Sequence, residues 1–557
     1  MNFQVRGHEI AGLLDRLPAG VTTLSLDCFD TIIWRCVQAP RDVFASIALD
    51  GGAVEPRGWA EGASRRVKIN REGTGEVHLD DVYRRLLPNA DDARIAEAVA
   101  HELACEAQHC FAFAPTIALM RDAKARGLRI VVVSDMYLSE PQLRDLITAA
   151  AGEDVLAMVD RIYMSSDHRR SKSQGLLAHM MQDIGVRPDQ VVHVGDNPTA
   201  DYVSAIALGI HAIHFQQFDQ AAEDRLRMEG VAAGMIDPTI RVSRPALQFH
   251  RAEVSTRVDD DPVYALGHDV IGPALHGFSV WLKAEIDALS ATLGRPVRPL
   301  FMMRDGYLPF CAFDSLYPDA GARTVEISRF VASRACLHNR AALDDYVYEW
   351  LDRISLATLA RQLSLFGPEV QRYTKGESTE TSRAAFAKFV LSGDNPKKIL
   401  KRSAVFADKL CAHLRAADVS DGDAIMLVDI GYNGSVQNVL TPMLAERMGL
   451  HVVGRYMFLR EEQLSGLDKK GLLDVRTHEC RTLHALATCV AVVEQLCNIS
   501  QGSTIDYDAK GAPVREALAA NHAQSATRDT VQRAALEFLA RAGQPVHRAP
   551  ALDTIEA

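Results

Sequence analysis

The chain has 557 residues, 48% of them hydrophobic and 24% charged, with a formal charge of -11. That length exceeds one ordinary core and predicts two or three globular domains. The acidic balance argues against a broad nucleic-acid-binding face, and no apolar run reaches the roughly 18 to 20 residues of a membrane span.

In chain order, the first residues, Met1 to Arg6, carry no signal-peptide core, and the ten cysteines show no paired spacing. Both point to a reducing cytoplasm. An apolar run, Thr22-Thr-Leu-Ser-Leu26, predicts a strand that opens on Asp27-Cys-Phe-Asp-Thr31. A polar, helix-patterned region follows to about residue 115. From there short apolar strands alternate with helices. Arg129 to Val133 reaches Ser134-Asp135, and Arg161 to Met164 is followed by Ser171-Lys-Ser173. Gln190 to Val194 meets Gly195-Asp-Asn-Pro-Thr-Ala-Asp201, and Ala212 to Phe215 ends the series. Buried strands in this rhythm imply a doubly wound parallel sheet, whose ligands gather beyond the strands' carboxyl ends.

A second α/β rhythm runs from about 261 to 505. Strands at 298–303, 324–327, 424–428 and 452–459 give a second Rossmann-like domain, and a mostly helical stretch fills 340–416. The expected division is a core from 1–34 and 116–216, a helical cap at 35–115, a bridge at 217–260, the second domain at 261–505, and a polar helical tail at 506–557.

The segments at the ends of the first set of strands supply parts for phosphoryl chemistry. A carboxylate such as Asp27 attacks phosphorus only when the charges of both are screened, and carboxylates on two strand ends suit magnesium. Asp196 and Asp201 are the second pair, Ser134 can donate to a phosphoryl oxygen, and Lys172 can neutralise charge. Asp135 and Asn197 read as capping or supporting residues. Singly, each residue has an ordinary structural explanation as a helix cap or surface group; together and in order they form a site. His179 and His193 read as satisfied core histidines, and His211 with His214 makes no metal pair.

With these motifs the chain resembles the haloacid dehalogenase (HAD) superfamily. The resemblance spans about residues 20–215 and implies a magnesium-dependent hydrolase. By it Asp27 is nucleophile and metal ligand, Ser134 binds phosphate and Lys172 neutralises charge. Asp196 and Asp201 complete the metal site, and Phe29 offers its backbone carbonyl. The 35–115 insert occupies the place of the superfamily's cap. In the phosphatase pattern a second Asp stands two residues after the nucleophile; here that residue is Phe29, with Asp30 next. Three readings stay open. Asp30 or a cap residue transfers the proton, or the chemistry needs no strong acid, or the site binds a phosphorylated ligand without efficient turnover.

The second half holds Arg304-Asp-Gly-Tyr307, Arg329, Arg334 and Asp429-Ile-Gly-Tyr-Asn-Gly-Ser435. A strand, an Asp and a loop containing Gly431 and Gly434 before a helix starting near Ser435 can present N–H groups to an anion. Arg304, Asp305, Arg329, Arg334, Asp429, Gly431, Gly434 and Ser435 are therefore a second candidate ligand site. Ordinary turns and paired surface arginines explain them equally well. The layout also resembles large bacterial HAD-type proteins, some from surface-polysaccharide settings, which would imply a sugar-phosphate or nucleotide-sugar setting. The expected partner is a small phosphorylated metabolite, the expected cofactor Mg2+. Rival functions are a phospho-ligand sensor and a transferase working from the second domain.

Overall fold

Runs of Val, Ile and Leu too short for helices become buried strands, as their composition requires. The structure, a computed structural model, describes residues 2–47, 54–375, 379–461, 464–518 and 522–548. The chain forms two units, Met1–Asp261 joined by the segment from Arg541 onward, and Pro262–Ala540.

The first unit contains β1 (Asn2–Val5), β2 (Thr23–Leu26), β3 (Ile33–Arg35), β4 (Cys110–Phe113), β5 (Arg129–Ser134), β6 (Arg161–Met164), β7 (Val191–Gly195) and β8 (His211–Phe215). Six of them build a parallel sheet in the order β1-β8-β7-β2-β5-β6. The chain leaves β2 toward β5 and β6, then returns to β7 and β8 on the other side. Strand order therefore reverses between β2 and β7, the place where such sheets open a crevice. The opening residues, given no element by sequence, pair with β8 as Asn2↔Ala212 to Val5↔Phe215.

The insert after β3 is helical, with α1 (Val54–Glu72), α2 (Leu79–Leu86) and α3 (Asp92–His109). Asp91 caps α3 by accepting the Arg94 N–H at 2.9 Å. The three helices share one buried ionic knot. Arg57, fully buried, donates to Glu102 through Nε at 2.7 Å and Nη2 at 2.8 Å, and the Tyr83 hydroxyl donates to the same carboxylate at 2.8 Å. Buried ions persist only when paired this completely. Beneath the insert, β4 pairs antiparallel with β3 on one edge and with strand Val546–Arg548 on the other. Trp34 stacks on Phe113 at 4.4 Å between ring centres, and Phe113 on Phe215 at 5.8 Å.

The second unit has β9 (Val297–Met302), β10 (Arg323–Val325), β11 (Ala424–Asp429), β12 (His451–Leu459) and β13 (Lys469–Asp474). They form a parallel sheet in the order β10-β9-β11-β12-β13. Counted along the chain this is 2-1-3-4-5, a doubly wound order whose reversal lies between β9 and β11. The expected helical tail differs in part. Thr504–Tyr507 and Pro513–Arg515 form an antiparallel hairpin, because β-favouring Thr, Ile, Tyr and Val flank a turn containing Gly511 at φ +85°. Helix His522–Arg541 follows.

Among the described residues no helix is long and apolar enough to cross a membrane. All ten cysteines are unpaired.

Candidate active site

Asp27 follows directly on β2, and its N–H donates to the Val194 carbonyl of β7 at 2.9 Å. That bond carries the parallel ladder one residue past the strand and sets the Asp27 carboxylate beside the loop that follows β7. A side chain at Gly195 would collide there: an added Cβ would lie 2.3 Å from the Asp201 Cγ. Pro198–Val203 forms a π-helical turn capped by Asn197, whose Oδ1 accepts the N–H groups of Thr199 at 3.0 Å and Ala200 at 2.9 Å. The turn aims Asp201 back into the crevice, where its Oδ2 accepts the Asn197 N–H at 3.0 Å.

Asp27, Asp196 and Asp201 thus bring one carboxylate oxygen each within 4.8 Å of one another. Lys172 Nζ donates to Asp27 Oδ1 at 2.6 Å and also pairs with Asp201. Lys172 is positioned through its backbone, whose N–H donates to both oxygens of Asp135 at 2.9 and 3.2 Å. Asp135 therefore has the supporting role expected of it. Ser134, 2% exposed, lines the same cavity, as do Phe29 and Asp30. Asp30 takes a left-handed backbone, φ 56°, and its carbonyl accepts Gln217 Nε2 at 2.8 Å. The Phe29 ring lies 4.2 Å beneath the Arg35 guanidinium.

The electrostatics follow from crowding. Burial pushes the Asp196 carboxyl up to about 9, with Asp30, Asp27 and Asp201 adding to the rise. Burial also raises Asp27, against the opposing pull of Lys172. Burial would raise Asp201 too, but Lys172 and His193 outweigh it and hold that carboxyl low. Lys172, despite burial, is kept charged by Asp27 and Asp201.

Two contributors escape sequence reasoning. His193, read as a satisfied core residue, is indeed buried and satisfied, but one of its partners is Asp201, with Nε2 3.0 Å from Oδ1. Its Nδ1 lies 2.8 Å from the Ser25 hydroxyl. Ser25 and His193 are ladder partners, which was the available signal. His214 sits 2.9 Å from the Asp196 carbonyl. The cavity holds about 620 Å³, and Phe44 and Arg65 of the insert after β3 contribute to its wall.

In the second unit, Arg304-Asp305 follows β9, Arg329 follows β10 and Asp429 ends β11, so these groups meet at the strand-order reversal. Burial raises Asp429 to about 8, with Asp305 and then Glu494 adding to it. Glu494 was not expected from sequence. Arg304, at φ 77°, donates to Ser503 Oγ at 2.8 Å. Gly431 and Gly434 are required by close approach: added Cβ atoms would lie 2.7 Å from the Phe458 carbonyl oxygen and from the Tyr456 hydroxyl. Ser435 begins helix Ser435–Met448. Arg334 does not join this group. Lying on the helix behind Arg329, it stacks 4.0 Å over the Phe406 ring and donates to the Ile505 carbonyl at 2.6 Å.

Comparison with known proteins places the first unit. A family model described as haloacid dehalogenase-like hydrolase matches residues 23–209. Solved structures similar to the chain include L-2-haloacid dehalogenase from Xanthobacter autotrophicus. It is 14% identical, with 41% of this chain and 89% of that one covered at a TM-score of 0.29. Another is a HAD phosphatase from Thermococcus onnurineus, 15% identical, with 35% and 87% covered at a TM-score of 0.26. No curated protein matches the chain. Residues 23–209, with four motifs around one crevice, are a haloacid dehalogenase-like hydrolase domain.

Proposed function

We propose that the first unit is a cytoplasmic, magnesium-dependent phosphatase acting on a small phosphorylated metabolite through an aspartyl-phosphate. The observation that carries this reading is the convergence of Asp27, Asp196 and Asp201 beside Lys172. The donor set fits a hard divalent ion: buried Asp27 and Asp201 and half-buried Asp196 gather beside one ammonium, and the charges of Asp30, Asp27 and Asp201 add to the desolvation that raises Asp196. Asp27, Asp196 and Asp201, with the Phe29 carbonyl, would hold Mg2+, which when bound screens the nucleophile from the phosphoryl oxygens.

Asp27 attacks phosphorus, forming an O–P bond as the ester P–O bond breaks. Lys172 orients the attacking carboxylate, and Ser134 donates to a phosphoryl oxygen. Asp30, in the cavity wall, gives its proton to the leaving alkoxide. It then takes one from the water that hydrolyses the acyl phosphate. The 620 Å³ cavity has room for a metabolite, and a sugar phosphate is the class suggested by the chain's layout.

The test is release of inorganic phosphate from a phosphate-ester panel, with Mg2+ and with chelator. Asp27→Asn is expected to lower Mg2+-dependent release at least about 1,000-fold. Phe29 favours a second reading, a sensor that binds phosphorylated ligands, since an aromatic ring transfers no proton. No release from any ester by the wild type, with phosphate binding retained, would select it. If Arg304→Ala abolishes activity that Asp27→Asn spares, the site is the second unit's crevice and the protein a transferase.

A further inference from the structure

Away from both carboxyl-edge clusters, the second unit carries a groove of about 400 Å³ whose charged lining is entirely cationic. One wall is a face of helix Asn395–Ala416. Lys398, Lys401 and Arg402 stand within one turn of each other, and Lys409 follows two turns on. Arg334 and Phe366 close the opposite side. Two of these cations are fixed in place. Arg402 Nη1 donates to the Ser364 carbonyl at 2.6 Å, and the Arg334 guanidinium carbon lies 4.0 Å from the centre of the Phe406 ring.

The charge is poorly compensated. Asp506 reaches Lys409 at 3.0 Å and Arg334 at 3.5 Å. Among the described residues no ion pair engages Lys398, Lys401 or Arg402, all exposed. In a chain of net charge -11, like charges so concentrated repel one another unless an anion joins them. Phe366, 67% exposed, leaves an aromatic face at the rim where burial would be the ordinary outcome.

We propose that this groove binds a nucleotide bearing at least two phosphoryl groups. Lys398, Lys401 and Arg402, one helical turn of donors, take the phosphoryl oxygens, and the Phe366 ring stacks on the base. An acidic peptide would satisfy the charges but would need length beyond the volume of this groove and would leave Phe366 without a flat partner. The inference does not depend on phosphatase activity in the first unit.

The experiment is calorimetric titration of the full chain with ADP and with inorganic pyrophosphate, in chelator and at low ionic strength. ADP is expected to bind more tightly than pyrophosphate. The double variant Lys398→Glu, Lys401→Glu should weaken both at least about tenfold, while Phe366→Ala should weaken ADP about fivefold and leave pyrophosphate unchanged. All three side chains are exposed, so the variants keep the fold, which circular dichroism checks. Absence of saturable binding, affinities untouched by the double variant, or binding of a poly-glutamate peptide in place of ADP would overturn the proposal.

Discussion

Gly195 shows how tightly single residues are specified around the three carboxylates. Its missing side chain leaves the space that the Asp201 carboxylate fills, with no unusual backbone angle involved. Gly195→Ala is therefore expected to displace Asp201 and weaken Mg2+ binding at least about tenfold, a loss of ~1.4 kcal/mol measured by calorimetry. Far-ultraviolet circular dichroism should stay unchanged. At this scale the sequence is legible where the candidate site is contiguous with a strand end, as at Asp27, Ser134 and Asp196. It is opaque at His193, whose contact with Asp201 runs through side chains, and at Glu494, brought to Asp429 by tertiary folding alone.

Among elements, the helical insert owes its coherence to the Arg57–Glu102–Tyr83 knot joining α1, α2 and α3. Arg57→Ala strands the Glu102 carboxylate without its cation, and a cost of about 3–5 kcal/mol is expected in urea denaturation. The nine strands expected from sequence appear because each is a run of apolar or β-branched residues of fitting length. β1, β3, β4, β13 and Val546–Arg548 remain hidden; β3, β4 and Val546–Arg548 pair only with one another, in a small sheet assembled from distant parts of the chain. The hairpin at 504–515 is masked by the Ala-rich segment after it, which does become helix.

For the molecule as a whole, the carboxylate cluster predicts a coupling between pH, metal and stability. In the folded protein burial pushes Asp196 up to about 9, well above the roughly 3.9 of an unfolded Asp. Between those values the folded protein holds a proton that the unfolded chain has lost, so stability falls as pH rises. Asp429, raised to about 8, acts in the same direction from the second unit. In chelator, the melting temperature should decline from pH 5 to pH 9. Saturating Mg2+ at pH 8 should restore about 2–3 kcal/mol, read as a melting shift of several degrees. Asp196→Asn should abolish that metal-dependent recovery.

The ladder joining Val546–Arg548 to β4 closes a loop of about 430 residues, although loop-closure entropy grows only slowly with length. A nascent chain can lay down that rung only after the ribosome has passed residue 548. Until then the hydrogen-bonding edge of β4 stays bare, a template for another chain. Products shortened before residue 546 are therefore expected to self-associate, visible as increased light scattering against the 557-residue chain.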